Sequence, residues 1–313
     1  MKIMLLDCAP MEGLTGAPFR RCHSRFFPGV DRYFAPFISP VADRRFTPKE
    51  LREILPENNK GFKLVPQILT KNSEDFLWCA GELHTMGYES VNLNAGCPSG
   101  TVTAKGKGAA MLGDTEALKR FLGEIFEKAP CPISVKTRLA MKDPEDFELI
   151  MDIYNNYPID ELIIHPRVRE DFYKHPIRQE WFDYAYELSN MPLSYNGGIE
   201  TTEDFDAATT TRPKLKAVMI GQGLMADPAL ISKIKGGGEV STKLLLDFHD
   251  ALFHEYAEDF QSANNAAQRM KELWSYLHKS FPGSEKQLKK IKKARCAEDY
   301  LLAAGEMFQL ARK

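Results

Sequence analysis

A chain of 313 residues with formal net charge −2 and 43% hydrophobic residues can fill a large core, and its length suits one large domain plus a smaller one. No apolar run approaches the ~20 residues of a membrane helix, and the short apolar start stops at Asp7; neither a membrane span nor a signal peptide is expected, and the cytoplasm is the expected location. Cys8, Cys22, Cys79, Cys97, Cys131 and Cys296 form no Cys-x-x-Cys pair, so neither a disulfide framework nor a metal site is expected, and any nucleic-acid binding must come from a local basic surface.

Over roughly the first 235 residues, short β-rich runs alternate with stretches of helical periodicity, the pattern of βα units closing on a parallel sheet. The strands are predicted at Ile3–Ala9, Tyr33–Phe37, Leu64–Leu69, Ser90–Leu93, Ile133–Thr137, Leu162–His165, Leu193–Tyr195 and Ala217–Ile220. Eight such units predict an α/β fold, a (β/α)₈ TIM barrel. Among the helices between them, Ser73–Met86 opens on Ser73 as N-cap and Thr115–Lys128 on Asp114 or Thr115. After Gly236–Gly238 no strand is predicted. Ser241–Phe260, Asn264–Ser280 and Ala297–Arg312 read as helices, which divides the chain into a barrel over 1–238 and a smaller all-helical C-terminal domain over 239–313.

Chemistry in such a barrel sits at the C-terminal ends of the strands, where the loops converge on one mouth. There the sequence places Ala9-Pro10-Met11-Glu12-Gly13, Gln67, Asn94-Ala95-Gly96-Cys97-Pro98, Lys136-Thr137-Arg138, His165-Pro166-Arg167, Asn196-Gly197-Gly198 and Gly221-Gln222-Gly223. The last two are singly consistent with plain turns. Paired after strands seven and eight they point to phosphate, because glycines let backbone N–H groups approach an anion. Lys136, a cation on an otherwise apolar strand, is expected to face the mouth, where an anionic ring system would satisfy it. His165 and Arg167 alternate, so both can face the mouth. Cys97 lies on an exposed turn and can serve as nucleophile or general acid. The basic, glycine-rich stretch Gly100–Gly108 reads as a flexible lid carrying Lys105 and Lys107.

With six of these motifs in order and spacing, the chain resembles the bacterial tRNA-dihydrouridine synthases, flavin mononucleotide (FMN) enzymes with an N-terminal barrel and a C-terminal helical domain. The resemblance implies reduction of uridine to 5,6-dihydrouridine in the D-loop of tRNA, with NADPH or NADH as reductant. It implies that Pro10, Met11 and Glu12 lie against the flavin, that Gln67 and Lys136 contact its pyrimidine edge, that His165 sits near the ring, and that Asn196, Gly197, Gly198, Gly221 and Gln222 hold the phosphate. Asn94 and Arg138, with Arg167 and Lys105 beside them, would bind the substrate, and Cys97 would protonate carbon five of the uracil. The chain departs from the family in having Gln222 where Arg is usual and Gly100 where a basic residue commonly follows the Cys-Pro pair.

Between Lys286 and Arg295 the sequence has six basic and no acidic residues, which suggests a stripe for RNA phosphates. Lys271, Lys279, Lys289, Lys290, Lys293 and Arg295 are the candidate contacts. Trp274 and Tyr276 are expected in the core. The Trp274–Lys279 stretch is similar to the family members that modify an early D-loop uridine. A monomer with tRNA as partner is expected. A flavin barrel acting on a small molecule of the dihydroorotate or enoate type is the alternative, and a flavin-free RNA-binding scaffold is a third reading.

Overall fold

The computed structural model describes residues 4–40 and 43–310. The expectations at Ile3, Ala311 and Arg312 lie outside the described residues. The parallel strands are β1 (Leu5–Cys8), β2 (Arg32–Phe34), β3 in two halves (Leu64–Val65 and Gln67–Ile68), β4 (Val91–Ala95), β5 (Ile133–Arg138), β6 (Glu161–His165), β7 (Leu193–Asn196) and β8 (Ala217–Ile220). The hydrogen-bonded order starts at the first half of β3, passes through β2, β1, β8, β7, β6, β5 and β4, and ends at the second half of β3. The two ends are one stretch of chain split at Pro66, so the sheet is a closed ring of eight staves. Proline has no N–H to give the ladder, which is why the third stave breaks there.

Helices α1 (Ala17–Phe26), α2 (Pro48–Ile54), α3 (Ser73–Thr85), α4 (Gly100–Thr103), α5 (Thr115–Lys128), α6 (Asp146–Asn155), α7 (Gln179–Leu188), α8 (Thr202–Thr209), α9 (Gln222–Ala226) and α10 (Leu230–Ile234) connect the strands or follow the last. Asp114 caps α5, accepting from the Ala117 N–H. Asn72, not Ser73, caps α3: its side chain accepts from Asp75 N–H, and Ser73 is already helical. The C-terminal part is α11 (Thr242–Phe260), α12 (Ala263–Leu277), α13 (Glu285–Lys293) and α14 (Ala297–Leu310). Helix α13 is an addition to the expected three. Trp274 is fully buried among them, its indole N–H donating to the Tyr300 hydroxyl.

Side-chain alternation sorts the barrel interior into layers. At the bottom, the Arg32 guanidinium forms paired hydrogen bonds to Asp7 (2.9 and 2.6 Å) and to Glu161 (2.7 and 2.8 Å). Above it, Ala9, Phe34, Val65, Ile163 and Met219 form a small apolar plug. At the top, the register pairs Asn94 with Lys136 and Arg138 with His165. On β5, Ser134, Lys136 and Arg138 share the inner face, while the Thr137 hydroxyl accepts from Tyr154 of α6 outside.

The helical part docks on the barrel through named contacts. Glu255 of α11 pairs with Arg21 and Arg25 of α1, and Arg269 of α12 donates to the Gly13 carbonyl at 2.8 Å. No helix among the described residues is long and apolar enough to cross a membrane.

Candidate active site

Two adjoining cavities open at the C-terminal ends of the strands. The first, about 330 Å³, is lined by Cys97, Lys136, Arg138 and His165 together with Pro10, Met11, Glu12 and Asn94. The second, about 160 Å³, shares Lys136 and His165 with it and is rimmed by Asn196–Gly198 and Gly221–Gly223. Residues from Pro10 to Tyr276 therefore meet in one mouth.

Cys97 is held by its own turn. The Asn94 carboxamide oxygen accepts from the Gly96 and Cys97 N–H groups at 3.1 and 2.9 Å, and the Ala109 N–H returns to the Cys97 carbonyl at 3.1 Å. Gly108, at φ +61°, packs so close that a Cβ there would lie 2.9 Å from the Cys97 carbonyl oxygen. The stretch Gly100–Gly108, expected to be a flexible lid, contains α4 and turns back onto Cys97. Burial raises the Cys97 thiol above its ordinary pKa, outweighing the Ser99 backbone hydrogen bond and the nearby Lys136 and Arg138, which favour the thiolate. A thiol that stays protonated at neutral pH can give a proton; it is a poor resting nucleophile.

Lys136 is pushed down to about 7, first by burial and then by the Arg138 charge, with Cys97 acting weakly in the other direction. Among the described residues no carboxylate pairs with it, so its ammonium form has no acidic partner there. Arg138, almost fully buried, spends its N–H groups on backbone: Nε on Gly96, Nη1 on Val168 and Nη2 on Phe172 carbonyls, at 3.1, 3.0 and 3.0 Å. It ties the Cys97 turn to the loop after β6. His165 lies well below its ordinary pKa through burial and the surrounding arginines and lysine, so it is neutral and its Nε2 accepts from Arg167 Nη1 at 3.0 Å.

The glycine cradle follows from close approach. Gly197 (φ +123°) and Gly198 (φ +70°) adopt backbone that favours glycine, and a Cβ on Gly197 would lie 2.8 Å from the His165 ring. The Asn196 side chain donates to the Met219 carbonyl at 2.7 Å, bracing β7 on β8 beneath the cradle.

The remaining candidates divide. Glu12 lines the mouth but pairs outward with Lys49, and Gln67 is fully buried beneath the mouth, its amide bonded to Asn92 and Asn94. Lys105 is exposed beyond α4. Lys279 pairs with Glu200 and Lys290 with Glu306, while Lys271 donates to the Ala294 carbonyl. Lys289, Lys293 and Arg295 are exposed. Tyr276 is not a core residue: it is half-buried and lines the mouth together with Gln222. Phe172 and Tyr173, which the sequence did not single out, stand at the rim with 38% and 54% of their surface exposed; the Arg138 guanidinium lies 5.2 Å over the Tyr173 ring.

The family model described as "Dihydrouridine synthase (Dus)" matches residues 7–304. The chain belongs to the dihydrouridine synthase family. Relatives named tRNA-dihydrouridine(16) synthase include those of Pseudomonas putida (27% identical, covering 89% of this chain and 90% of the relative), Aquipseudomonas alcaligenes (25%, 96% and 99%) and Haemophilus influenzae (26%, 98% and 100%). Among solved structures, histamine dehydrogenase from Rhizobium sp. 4-9 superposes with TM-score 0.53 at 13% identity, over 78% of this chain and 46% of that longer one. A variant of NCR from Zymomonas mobilis gives 0.51 at 10%, over 79% and 90%. These two likenesses show the barrel fold.

Proposed function

We propose that the chain reduces uridine to 5,6-dihydrouridine in tRNA, at the D-loop position 16 that the names of its relatives carry, with FMN bound in the barrel mouth and NADPH or NADH as reductant. The observation that carries the reading is the single mouth in which Cys97, Lys136, Arg138 and His165 meet beside a glycine-rimmed cavity.

The residues present fit the cofactor on two counts. A Cβ at Gly197 would intrude on His165, so the rim offers bare backbone of the kind a phosphate takes, with Asn196, Gly198, Gly221 and Gln222 completing the cradle. Lys136, half-buried in the mouth and without a carboxylate partner among the described residues, is suited to an electron-rich ring edge that would keep it protonated, with His165 neutral beside it. When bound, the flavin supplies a hydride for carbon six of the uracil. Cys97, protonated, gives its proton to carbon five from the other side, which completes a two-electron reduction of the ring double bond. Pro10, Met11 and Glu12 wall the mouth, Gln67 supports it from below, and Asn94, Arg138 and Arg167 orient the base.

The target base must leave its stack, at a cost of about a few kcal/mol, which favours a loosened loop nucleotide. Residues 239–313 act as the tRNA-binding part, with Lys289, Lys293 and Arg295 free for phosphates; Lys271, Lys279 and Lys290 join them by exchanging internal partners for RNA, and Lys105 meets it at the mouth. On the same reading we propose a cytoplasmic monomer. A small-molecule substrate gives no use for this basic stripe. The test is reconstitution: purified chain with FMN, NADPH and unmodified tRNA should form dihydrouridine, and a colourless protein that fails to bind FMN would defeat the reading.

A further inference from the structure

Beneath the mouth, four side chains form one directed hydrogen-bond chain across β5, β4 and β3. The Ser134 hydroxyl donates to the Val91 carbonyl at 3.3 Å and accepts from the Asn92 amide at 2.8 Å; the Asn92 oxygen accepts from Gln67 at 2.7 Å; the Gln67 oxygen accepts from Asn94 at 2.8 Å. The Asn94 oxygen then takes the Gly96 and Cys97 N–H groups. Asn92, Gln67, Asn94 and Ser134 are all buried.

The direction of this chain is forced. Backbone N–H groups can only donate, so Asn94 must turn its oxygen to the Cys97 turn and its NH₂ to Gln67. Each amide in turn fixes the next, and only a hydroxyl at Ser134 can accept from Asn92 while passing its own proton to a carbonyl. Asn94 has then used both oxygen lone pairs and one of two N–H groups. What it can offer the mouth is a single N–H donor, which suits a ring carbonyl; uracil has two of these and cytosine one.

We propose that Asn92 and Ser134, which do not line the mouth, are positioning residues: by anchoring the far end of this chain they hold Asn94 in the orientation its own turn requires and, through it, steady the Cys97 turn and the donor presented to the pyrimidine. This deepens the proposed function and rests on it for the substrate, though not for the Cys97 turn.

The test uses the full chain with Asn92→Leu, Ser134→Ala and Asn92→Asp. Aspartate still accepts from Gln67, and the Ser134 hydroxyl can rotate to donate to it, so this variant should keep the orientation. Iodoacetamide labelling of Cys97, read by peptide mass, should accelerate at least about fivefold in Asn92→Leu and about twofold in Ser134→Ala, and stay near wild type in Asn92→Asp. In single turnover, tRNA-dependent reoxidation of the reduced flavin should slow at least about tenfold in Asn92→Leu with tRNA affinity unchanged, and recover in Asn92→Asp. Wild-type labelling in both Asn92→Leu and Ser134→Ala, or Asn92→Asp behaving like Asn92→Leu, overturns the proposal. If Asn92→Leu does not fold, Ser134→Ala against Asn92→Asp decides. A wild-type chain that does not reduce tRNA counts against the proposed function, and the labelling arm still decides the role of Asn92 and Ser134.

Discussion

At the scale of residues, the proposed function would divide the chemistry between Cys97, which must keep its proton, and Lys136, which must hold a charge. Burial keeps the Cys97 thiol protonated. Cys97→Ala should therefore retain FMN and nicotinamide oxidation and lose about 10²–10⁴-fold in uridine reduction, the usual worth of a positioned acid, as measured by tRNA-dependent flavin reoxidation. Normal reduction by that variant would remove Cys97 from its role. Lys136 falls to about 7 in the ligand-free chain. An anionic or electron-rich partner raises it, so FMN binding above that pH takes up a proton. Affinity is then flat below about pH 7 and falls on the alkaline side by up to about tenfold per pH unit. Calorimetry at pH 8 in two buffers of different ionisation heat should show net proton uptake in wild type and less in Lys136→Met; equal heats in wild type would contradict the assignment.

At the scale of elements, the loops after β7 and β8 carry a steric requirement. A side chain at Gly197 meets both a positive φ and the His165 ring. Gly197→Ala should cost about 1–3 kcal/mol of stability and weaken FMN by more than about tenfold, visible in thermal melts and fluorescence titration. Unchanged FMN affinity would show that the cradle is not where the phosphate sits. These loops were legible in the sequence because Asn-Gly-Gly and Gly-x-Gly follow strands that are almost wholly apolar, and Ala217–Ile220 was found to the residue. Strand ends were less legible where polar inward residues extend them: Asn94, Arg138 and Asn196 belong to strands yet read as loop chemistry. Helix α2 carried a signal that was passed over, the Thr47-Pro48-Lys49-Glu50 capping box with proline at the first turn. Helix α13 was hidden by its own lysines, because a charge run masks the Leu288 and Ile291 side that packs inward. The rim aromatics Phe172 and Tyr173 had no local pattern; Phe172 sits at φ +48°, a geometry set by Arg138 and the barrel rather than by sequence.

At the scale of the whole molecule, function depends on how the helical part meets the barrel. Arg269 and Tyr256 hold the carbonyls of Gly13 and Leu14 in the loop after β1, and Tyr276 closes one side of the mouth. No periodicity in α12 could reveal that last placement, because it arises only on docking. The basic stripe on α13 gives the molecule its expected RNA face in spite of a net charge of −2. Replacing Lys289, Lys290, Lys292 and Lys293 with glutamine should weaken tRNA binding and flatten the salt dependence by about 0.7–0.9 in logarithmic slope for each lost phosphate contact. Unchanged affinity and slope would reassign the stripe to solvent.

The most direct test of the central claim is a map of dihydrouridine in tRNA from a strain lacking this gene, with and without the wild-type gene restored. Dihydrouridine at position 16 should disappear on deletion and return with the wild-type gene. Persistence of that modification in the deletion strain, with no other RNA uridine changed, would contradict that claim.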